Sequence, residues 1–534
     1  MVHSILNAMP AEALAVAIRR RIRGEVRIDR HSRELCAADP VPYRQEPMGV
    51  VIPRNISDVV EAVAVCRKHD APIMPHPGGP AWTGHCCESG VIIDMSQFLR
   101  GIHSIDPDRE RALVEPGCSP DVLRSRAEAY GLTFGSGLSG YDQGTLGGMI
   151  DNGARGGHAF MAGCTAENVH SLDILTYDGL RMTVGPTSEK DLELIIGGGG
   201  RRGEIYAALK ALRDKYADTI RARIPKVPRR VSGYAIDQLL PENGFNVARA
   251  LVGSGGTCAI VLHAELRLVP SPPVRTLLVL GYPDIFRAAD HIAEVTAFKP
   301  IGLEGIDDSL VRSMKAEQMR SEELQLAPAG RGWLILEFGG ETREETAGRA
   351  RQLMDELRCK PGVPSMKLLD DPSDEALIRK FREAGLAATT HGAGLRMARP
   401  IREDAAVHPQ DVGPYLREYR ALLDKYGYGC SLYGHFGEGC IHYRIDCIAR
   451  ERIRRWRAFV DEKTDLVVRY NGSLSTEQAD EPAQADLLPK LYGDALVQAF
   501  CEFKAIWDPR NRLNPGRVMD SFSYARPLHL RRAM

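Results

Sequence analysis

The stretch PMGVVIPRNISDVVEAVAVCRKHDAPIMPH, at residues 47–76, alternates a short apolar run, an amphipathic segment and a second apolar run. The two apolar runs, VVI at 50–52 and PIM at 72–74, have the length and composition of buried strands. Between them apolar residues recur at helical spacing, and Ser57 and Asp58 are predicted to open the helix. The order strand, helix, strand predicts a βαβ-like unit at the beginning of an α+β domain.

The proline-rich PSPP at 270–273 is the clearest predicted boundary in the chain. Before it, short strands such as GVIIDM and LDILTYDG are separated by glycines and prolines, a pattern typical of α+β structure. After it, strand-like runs such as VRTLLVLGYP alternate with amphipathic segments such as TREETAGRARQLMDEL. The sequence therefore predicts a second α+β domain beyond this boundary.

Length and composition narrow the class of protein. The 534 residues exceed one simple core, so two or more domains and an interior suited to an enzyme are expected. Lys and Arg total 69 against 70 Asp and Glu, which leaves no basic field for nucleic acid or an acidic membrane surface. The 12 cysteines include no C-x-x-C pair, which favours reduced thiols in a cytoplasmic protein. The sequence has neither the charge order of a signal peptide nor 18 consecutive apolar residues, so no transmembrane segment is expected.

Two glycine-rich stretches follow the βαβ-like unit: MPHPGGPAWTGHCCESG at 74–90 and GLSGYDQGTLGGMIDNGARGGHA at 137–159. The first could turn backbone N–H groups toward a phosphate or could be a tight structural turn, and taken alone it leaves both open. Two such loops around one α+β unit can enclose a long ligand on both sides. Together they favour a bound cofactor.

A third glycine pattern, Gly198-x-Gly200-x-x-Gly203, has the spacing of a dinucleotide-binding turn. A Rossmann unit needs an acidic residue about 20 positions further on to hold the ribose. That region reads RARIPKVPRR, which is basic and interrupted by prolines. The pattern is therefore predicted to be a flexible loop before a surface helix.

The stretch YGHFGEGCIHYRID, at 433–446, sets His435 and His442 seven residues apart. This spacing spans about 10.5 Å on a helix and about 23 Å on a strand, too far for both imidazoles to reach one metal ion at about 2.1 Å. The chain must turn or bulge between them, and Gly437 and Gly439 permit this. Spacing alone leaves open a metal site and a structural hairpin with incidental histidines.

Taken in order, eight motifs resemble those of the FAD-linked oxidases of the vanillyl-alcohol oxidase (PCMH-type) superfamily. They read IPRNISDVVEAVAVC, PGGPAWTGHCCESGVIIDMSQFLRGIHSID, RALVEPGCSPDVLR, GLTFGSGLSGYDQGTLGGMIDN, LVGSGGTCAIVLHAELRLVPSPP, SLYGHFGEGCIHYRID, GSLSTEQAD and NRLNPGRV. The chain is most similar to the D-lactate, glycolate and D-2-hydroxyglutarate dehydrogenase branch. The resemblance covers nearly the whole chain, from about 25 to 520.

The resemblance implies an α+β architecture with a two-lobed FAD-binding domain and an antiparallel-sheet cap domain. The expected division is an N-terminal helical segment at 1–39, the FAD-binding domain at 40–270, the cap at 271–465, and a segment at 466–534 that returns to the FAD-binding domain. The residues implied to contact FAD are Pro77, Gly78, Gly79, Pro80, Ala81, Gly84, His85, Thr145, Gly147, Gly148, Asn152 and Ile260. Members with covalent flavin carry a histidine where this chain has Pro80, so noncovalent FAD is expected.

In the 2-hydroxy-acid branch, two histidines and a glutamate bind a divalent metal ion beside the flavin N5. The matching positions in this chain are His435, His442 and Glu477. Two imidazoles and a carboxylate suit Zn²⁺, Mn²⁺ or Fe²⁺. The ion would act as a Lewis acid on the hydroxyl of a small carboxylate substrate before hydride transfer to the flavin.

The chain departs from the family pattern close to this chemistry. The residue after the metal glutamate is a histidine and general base in the family, but here it is Gln478, whose amide cannot accept a proton at neutral pH. The first flavin loop reads HPGGP at 76–80 instead of RGGGT, the second reads SGL at 136–138 instead of PDP, and Gly256 replaces a glutamate. The chain ends soon after NPGRVMD, where long members continue, so no iron–sulfur extension is expected.

Three hypotheses follow from these departures. The protein is a metal-assisted 2-hydroxy-acid dehydrogenase in which another base or a metal-bound hydroxide removes the proton, a biosynthetic flavin oxidase with a changed substrate and O₂ as acceptor, or a flavin-binding protein without turnover.

The family places a substrate-binding arginine near IRKFREAGLAATTHG, so Arg382 is the candidate anchor, with a solvated helix-face arginine as the alternative. Arg396 and Arg402 are further anchor candidates, and His391 could replace the missing base if it faces the flavin. The electron acceptor is expected to be O₂, a quinone or a separate carrier, and the chain is compatible with a homodimer.

Overall fold

The structure is a computed structural model that describes residues 10–36, 47–76, 78, 90–135, 144–154, 159–230, 232–316, 327–369, 401–446, 453–474 and 485–518. Within these ranges the chain forms helices and four β-sheets, three of them antiparallel and one mixed. The α+β prediction is therefore confirmed.

The strands are assigned as follows. Their bounds are β1 (Glu25–Arg27), β2 (Gly49–Ile52), β3 (Ile73–His76), β4 (Val91–Asp94), β5 (Ile102–Asp106), β6 (Arg111–Val114), β7 (Leu132–Thr133), β8 (Val169–Leu175), β9 (Arg181–Val184), β10 (Ile260–Arg267), β11 (Val269–Pro270), β12 (Val274–Tyr282), β13 (Gly302–Asp307), β14 (Gly332–Gly340), β15 (Ser365–Leu369), β16 (Ile401–Ala406), β17 (Gly429–Gly434) and β18 (Cys440–Asp446).

Helices cover these sheets and connect their strands. The α-helices are Ala11–Arg19, Arg30–Cys36, Ile56–Lys68, Pro120–Glu128, Leu146–Asn152, Ala159–Ala162, Thr165–Asn168, Glu189–Gly197, Gly200–Arg223, Val247–Leu251, Ile285–Asp290, Ile292–Thr296, Asp308–Ala316, Arg343–Arg358, Val412–Tyr426, Ile453–Arg469, Leu488–Tyr492 and Asp494–Trp507. Short 3₁₀ helices occur at Ile236–Leu239, Pro241–Asn243, Pro409–Asp411, Phe436–Glu438 and Ala485–Leu487.

The first sheet has the strand order β1-β2-β4-β3, in which β2 and β3 both pair with β4 in parallel. Helix Ile56–Lys68 connects β2 to β3, so the βαβ-like prediction is confirmed. The predicted helix start at Ser57 and Asp58 is wrong, because Asn55 caps the helix by accepting a hydrogen bond from the backbone N of Asp58 at 3.0 Å. Asp58 is buried instead and accepts backbone hydrogen bonds from Arg23 and Arg54.

The second sheet is antiparallel, with the order β5-β6-β10-β8-β9. Buried residues on one of its faces, such as Leu172 and Leu266, belong to the same apolar core as Leu209 of helix Gly200–Arg223. The glycine pattern at 198–203 spans the junction of the helices Glu189–Gly197 and Gly200–Arg223 and does not follow a strand. The surface-helix prediction is confirmed, and the pattern lacks the strand that a dinucleotide-binding turn requires.

The largest sheet is antiparallel and has seven strands in the order β15-β12-β14-β13-β17-β18-β16. Strand β12 begins at Val274, directly after PSPP. Strands β17 and β18 form the hairpin that carries both candidate metal histidines, and β18 lies between β17 and β16. The buried Lys463 donates a hydrogen bond to Glu403 of β16.

The C-terminal segment contacts strand β3 of the first sheet. The backbone N of Ile73 donates to the carbonyl O of Arg512 and the N of Asn514 donates to the O of Ile73, both at 2.8 Å. The fully buried Leu513 shares an apolar cluster with Ile73 and Ile260. The exact division into four segments remains a prediction.

We predict that Gly439→Ala destabilises the protein far more than Gly427→Ala. Both glycines have positive φ, 72° and 68°, which costs an L residue about 1–2 kcal/mol. A Cβ at Gly439 would also overlap the carbonyl O of Val407, whereas one at Gly427 would meet nothing within 4 Å. Differential scanning calorimetry should show a fall in Tm several times larger for Gly439→Ala, and equal falls would contradict this account.

Candidate functional site

The β17–β18 hairpin brings His435 and His442 together. His435 follows β17, the 3₁₀ turn Phe436–Glu438 reverses the chain, and Gly439 completes the turn with φ of 72°. The ring centroids of the two histidines are 5.7 Å apart, with the ring planes nearly perpendicular at 89°. The predicted turn is therefore confirmed, and it places the two imidazoles in contact.

A carboxylate lies beside each of these imidazoles. Nδ1 of His435 is 3.5 Å from Oε1 of Glu304 on β13, and Nδ1 of His442 is 3.8 Å from Oδ2 of Asp404 on β16. His442 and Asp404 are both buried and stand directly opposite each other in the sheet. Burial lowers the pKa of His442 to about 3, although the Asp404 carboxylate opposes this. His442 is therefore a neutral imidazole at physiological pH, the form that binds metals.

A buried ion pair joins the hairpin turn to the first half of the chain. Arg229 donates to Oε2 of Glu438 from Nε at 2.9 Å and from Nη2 at 2.7 Å. The Arg229 side chain is 0% exposed and that of Glu438 is 8% exposed. Because Glu438 lies in the turn itself, this pair fixes the turn against the segment that follows helix Gly200–Arg223.

The two glycine-rich stretches meet at Gly78 and Thr145. The Thr145 hydroxyl donates to the carbonyl O of Gly78 at 3.0 Å and accepts a hydrogen bond from the N of Gly148 at 3.2 Å. Gly78 has φ of 109°, and a Cβ there would overlap Ser96 and lie 2.8 Å from Cγ2 of Thr145. Only glycine allows this approach, which leaves backbone rather than side chain at the junction.

A third glycine loop, 253–256, is bound to the same helix, Leu146–Asn152. The N of Gly253 donates to the O of Ile150, and the N of Gly255 donates to the O of Asp151, both at 2.8 Å. Arg517 from the C-terminal segment closes the arrangement by donating to Oδ1 of Asn152 at 2.6 Å and to the O of Gly255 at 2.9 Å.

These loops fit a flavin nucleotide in their chemistry. At Gly78 the backbone makes a close approach that a Cβ would block, and Gly148 and Gly253 on the two neighbouring loops are partly exposed. The donor types at the hairpin, two imidazoles with the Cys440 thiol 3.6 Å from Nε2 of His442, are ones that Zn²⁺ uses. Within the described residues, these donors form no three-donor cluster, either with one another or with a further His, Cys, Asp or Glu.

The remaining predicted residues divide into two groups. Gly147 is buried, and its N donates to the O of Pro116 at 2.7 Å. Ile260 begins β10, and its side chain is fully buried in the apolar cluster that also contains Ile73 and Leu513. The other predicted residues lie outside the described ranges, and so does the side chain of Arg402. They are Pro77, Gly79, Pro80, Ala81, Gly84, His85, Arg382, His391, Arg396, Glu477 and Gln478. Their roles remain predictions.

Sequence reasoning missed the residues that support the site: Arg229, Glu304, Asp404 and Arg517. Arg229 lies in the basic, proline-interrupted stretch that argued against a nicotinamide site, and no local pattern pairs it with Glu438. Asp404 is buried inside strand β16, where carboxylates are rare unless they have a partner. An acidic residue within a strand-like run is the one sequence signal that could have found it.

Comparison with known proteins gives two family matches. A FAD binding domain matches residues 47–185, and the C-terminal domain of FAD linked oxidases matches residues 271–518. The chain thus carries the two domains found in FAD linked oxidases, a FAD binding domain followed by the oxidase C-terminal domain.

Relatives with assigned names are dehydrogenases and oxidases of hydroxy acids. D-2-hydroxyglutarate dehydrogenase of Pseudomonas putida is 26% identical over 511 residues, which cover 93% of this chain and 50% of the relative. Glycolate oxidase subunit GlcD of Bacillus subtilis is 24% identical, with coverage of 89% and 90%. D-lactate dehydrogenase of Archaeoglobus fulgidus is 23% identical, with coverage of 90% and 93%. The chain therefore spans only half the length of the Pseudomonas relative.

Solved structures share the fold. p-Cresol methylhydroxylase with substrate bound superposes with a TM-score of 0.68 at 15% identity, covering 96% of this chain and 97% of that one. 4-Ethylphenol oxidase from Gulosibacter chungangensis gives a TM-score of 0.65 at 13% identity, with coverage of 97% and 98%. The PCMH-type fold prediction is confirmed. No helix within the described part of the chain is long and apolar enough to cross a bilayer.

The buried Asp151 predicts a pH dependence of stability. Burial raises the pKa of its carboxyl to about 7, and the nearby Arg517 only partly offsets this. In the unfolded chain the pKa returns to about 3.9, so the folded state binds more protons between these values. The contribution to stability is therefore complete below about pH 4 and is lost as the pH rises to about 7.

Asp151→Asn should remove this loss. We expect the Tm of the variant to equal that of the wild type at pH 4 and to exceed it at pH 8, as measured by calorimetry across that range. A variant whose Tm stays below the wild-type value at every pH would show that the ionised carboxylate is stabilising.

The Arg229–Glu438 pair should show strong energetic coupling. Removing one partner of a buried pair costs about 3–5 kcal/mol because the other charge stays buried. A double-mutant cycle with Arg229→Met and Glu438→Gln should therefore show that the double variant loses much less than the two single losses added. The exposed pair Lys425–Glu462 is the matched control and should show no measurable coupling in the same denaturation assay.

Proposed function

We propose that the protein is an FAD-dependent, divalent-metal-assisted oxidoreductase that oxidises a small 2-hydroxy acid or related carboxylate by hydride transfer to flavin N5. The relatives support the substrate class, since they are named as dehydrogenases and oxidases of D-2-hydroxyglutarate, glycolate and D-lactate. The family matches support FAD as the cofactor.

One observation carries the proposal of metal assistance. The hairpin turn in the seven-stranded sheet brings His435 and His442 together, and a carboxylate lies beside Nδ1 of each ring. Metal-binding histidines commonly have such a carboxylate at the second nitrogen, which orients the ring and raises its basicity.

The glycine loops and the hairpin have separate tasks in this mechanism. Gly78, Thr145 and Gly148 would hold the nucleotide, while Arg517 keeps Asn152 and the loop at 253–256 in place beside it. Bound FAD supplies the hydride acceptor. The fully buried Ile260 and the apolar cluster around it would limit the access of water to the cofactor.

His435 and His442, with Glu477, would hold the metal ion, which supplies Lewis-acid activation of the substrate hydroxyl. Because burial keeps the imidazole of His442 neutral, no proton has to leave it before it binds metal. Gln478 cannot take the hydroxyl proton, so we assign that task to another group, with His391 as the candidate. Arg382 is the proposed anchor of the substrate carboxylate.

The residue Gln478 favours a second candidate function. Loss of the family base together with retention of both hairpin histidines is typical of altered chemistry, so an oxidase with a different carboxylate substrate and O₂ as acceptor is the alternative. O₂ consumption with another carboxylate, together with no flavin bleaching by D-lactate, glycolate or D-2-hydroxyglutarate, would favour the alternative.

Anaerobic flavin reduction tests the proposal. The purified protein is expected to show a flavin spectrum and one or more divalent metal ions per chain, and its oxidised flavin band should bleach with D-lactate, glycolate or D-2-hydroxyglutarate. His442→Ala should retain FAD, lose the site metal and bleach at least about 100-fold more slowly, because Lewis-acid activation contributes several kcal/mol. His408→Ala, an exposed histidine outside the site, is the control and should behave as the wild type.

Two outcomes would contradict the proposal in different ways. Absence of bleaching by every tested acid, with FAD and metal both bound, would exclude this substrate class. Unchanged metal content and rate in both His442→Ala and His435→Gln would exclude the hairpin as the metal site.

A further inference from the structure

A second histidine-containing cluster lies on the sheet β5-β6-β10-β8-β9, away from the seven-stranded sheet. His103 on β5, Glu115 directly after β6 and His263 on β10 each offer one ligand atom, and these atoms all lie within 4.8 Å of one another. Among the described residues, this is the group of three His, Cys, Asp or Glu side chains whose ligand atoms lie this close together. The proposed flavin site uses none of them.

A β-bulge directs His103 toward the cluster. On β5, Ile102 pairs with Val114 and Ser104 pairs with Leu113, so His103 is the extra residue on its strand. Bulges redirect a side chain that regular pairing would place elsewhere. The His103 ring consequently lies 5.1 Å from that of His263, centroid to centroid, with an angle of 63° between the planes.

His263 is oriented by an aspartate on the neighbouring strand. A second register shift lies between Val261 and His263, and after it His263 stands directly opposite Asp173 of β8. Nδ1 of His263 is hydrogen-bonded to Oδ2 of Asp173 at 3.0 Å. This bond leaves Nε2 as the nitrogen available to an ion, with a carboxylate behind the ring.

Glu115 is held in a similar way through one of its two oxygens. Its Oε2 accepts a hydrogen bond from the backbone N of Gly101 at 2.6 Å, while Oε1 lies 3.7 Å from Nε2 of His103. One oxygen is therefore anchored and the other is directed at the histidine pair. Three ligands from three positions on the sheet converge before any ion binds.

We propose that His103, Glu115 and His263 bind a divalent cation of the Zn²⁺ class, with at least one coordination position open to solvent. Two imidazoles and one carboxylate are a ligand set that Zn²⁺ uses in proteins when a fourth position is left for water. The exposed fractions of the side chains, 45%, 15% and 19%, let an ion enter from solvent. His103 and His263 border an open groove of about 630 Å³, which gives the ion a path.

The same side chains would also make ordinary polar contacts across a solvent-facing sheet. That role accounts for Asp173, which bonds to both His263 and Arg181. It does not require Glu115 to be anchored with its second oxygen toward His103, nor a bulge at His103. The two roles differ in what they predict for metal binding.

Titration of the EDTA-treated full-length chain with Zn²⁺, against a chromophoric chelator as competitor, tests the proposal. The background carries His435→Ala and His442→Ala, so that loss of the proposed flavin-site metal cannot be mistaken for loss of this one. One Zn²⁺ per chain is expected in this background, and none after His103→Ala and His263→Ala are added. In the wild-type chain the same pair of substitutions should lower the Zn²⁺ stoichiometry by one. This measurement tests the site if the background variant does not fold.

Matched variants separate a metal site from general histidine binding. His170→Ala, on β8 and 3.7 Å from Glu265, should leave Zn²⁺ binding unchanged. Asp173→Asn should weaken it about 10-fold to 100-fold, the usual effect of removing a carboxylate behind a ligating histidine. Stoichiometry that is unaffected by His103→Ala and His263→Ala, or reduced equally by His170→Ala, would overturn the site.

Discussion

The buried ion pair between Arg229 and Glu438 is the interaction on which the geometry of the candidate site depends. Its two residues are 209 positions apart, one in the flavin-binding half of the chain and the other in the hairpin turn of the seven-stranded sheet. A charge without its partner is costly at such depth, so each side chain stabilises the burial of the other. The turn between His435 and His442 is thereby held against the part of the chain that carries the glycine loops.

Local features of the fold could be read from the sequence, because the patterns that specify them are themselves local. The unit from β2 to β3 follows from two apolar runs around an amphipathic helix, although the cap proved to be Asn55 and not Ser57. The turn between the hairpin histidines followed from their spacing and two glycines, of which Gly439 has the positive φ. What periodicity could not supply are pairings across the chain, such as Arg517 with Asn152, 365 residues away, or Arg229 with Glu438.

Glycine serves different purposes in three parts of the chain. At Gly78 it permits a close approach to Ser96 and Thr145, and at 253–256 it lets a loop bond to helix Leu146–Asn152. At 198–200 the glycines lie where one helix ends and the next begins, and Gly199 and Gly200 have open space around them. Spacing alone cannot distinguish these cases, because the difference lies in what the backbone approaches.

A directly opposed aspartate accompanies a histidine at both proposed metal sites. Asp404 faces His442 across β16 and β18, and Asp173 faces His263 across β8 and β10. Opposed side chains share one face of a sheet, so the carboxylate approaches Nδ1, at 3.8 Å and 3.0 Å. Nε2 of His263 is then left for an ion, whereas Nε2 of His442 lies 3.6 Å from the Cys440 thiol. The surroundings then set the use: His442 is 1% exposed and stays neutral, whereas His263 borders an open groove. The same pairing thus suits a site closed to bulk water in one sheet and a site that exchanges its ion with solvent in the other.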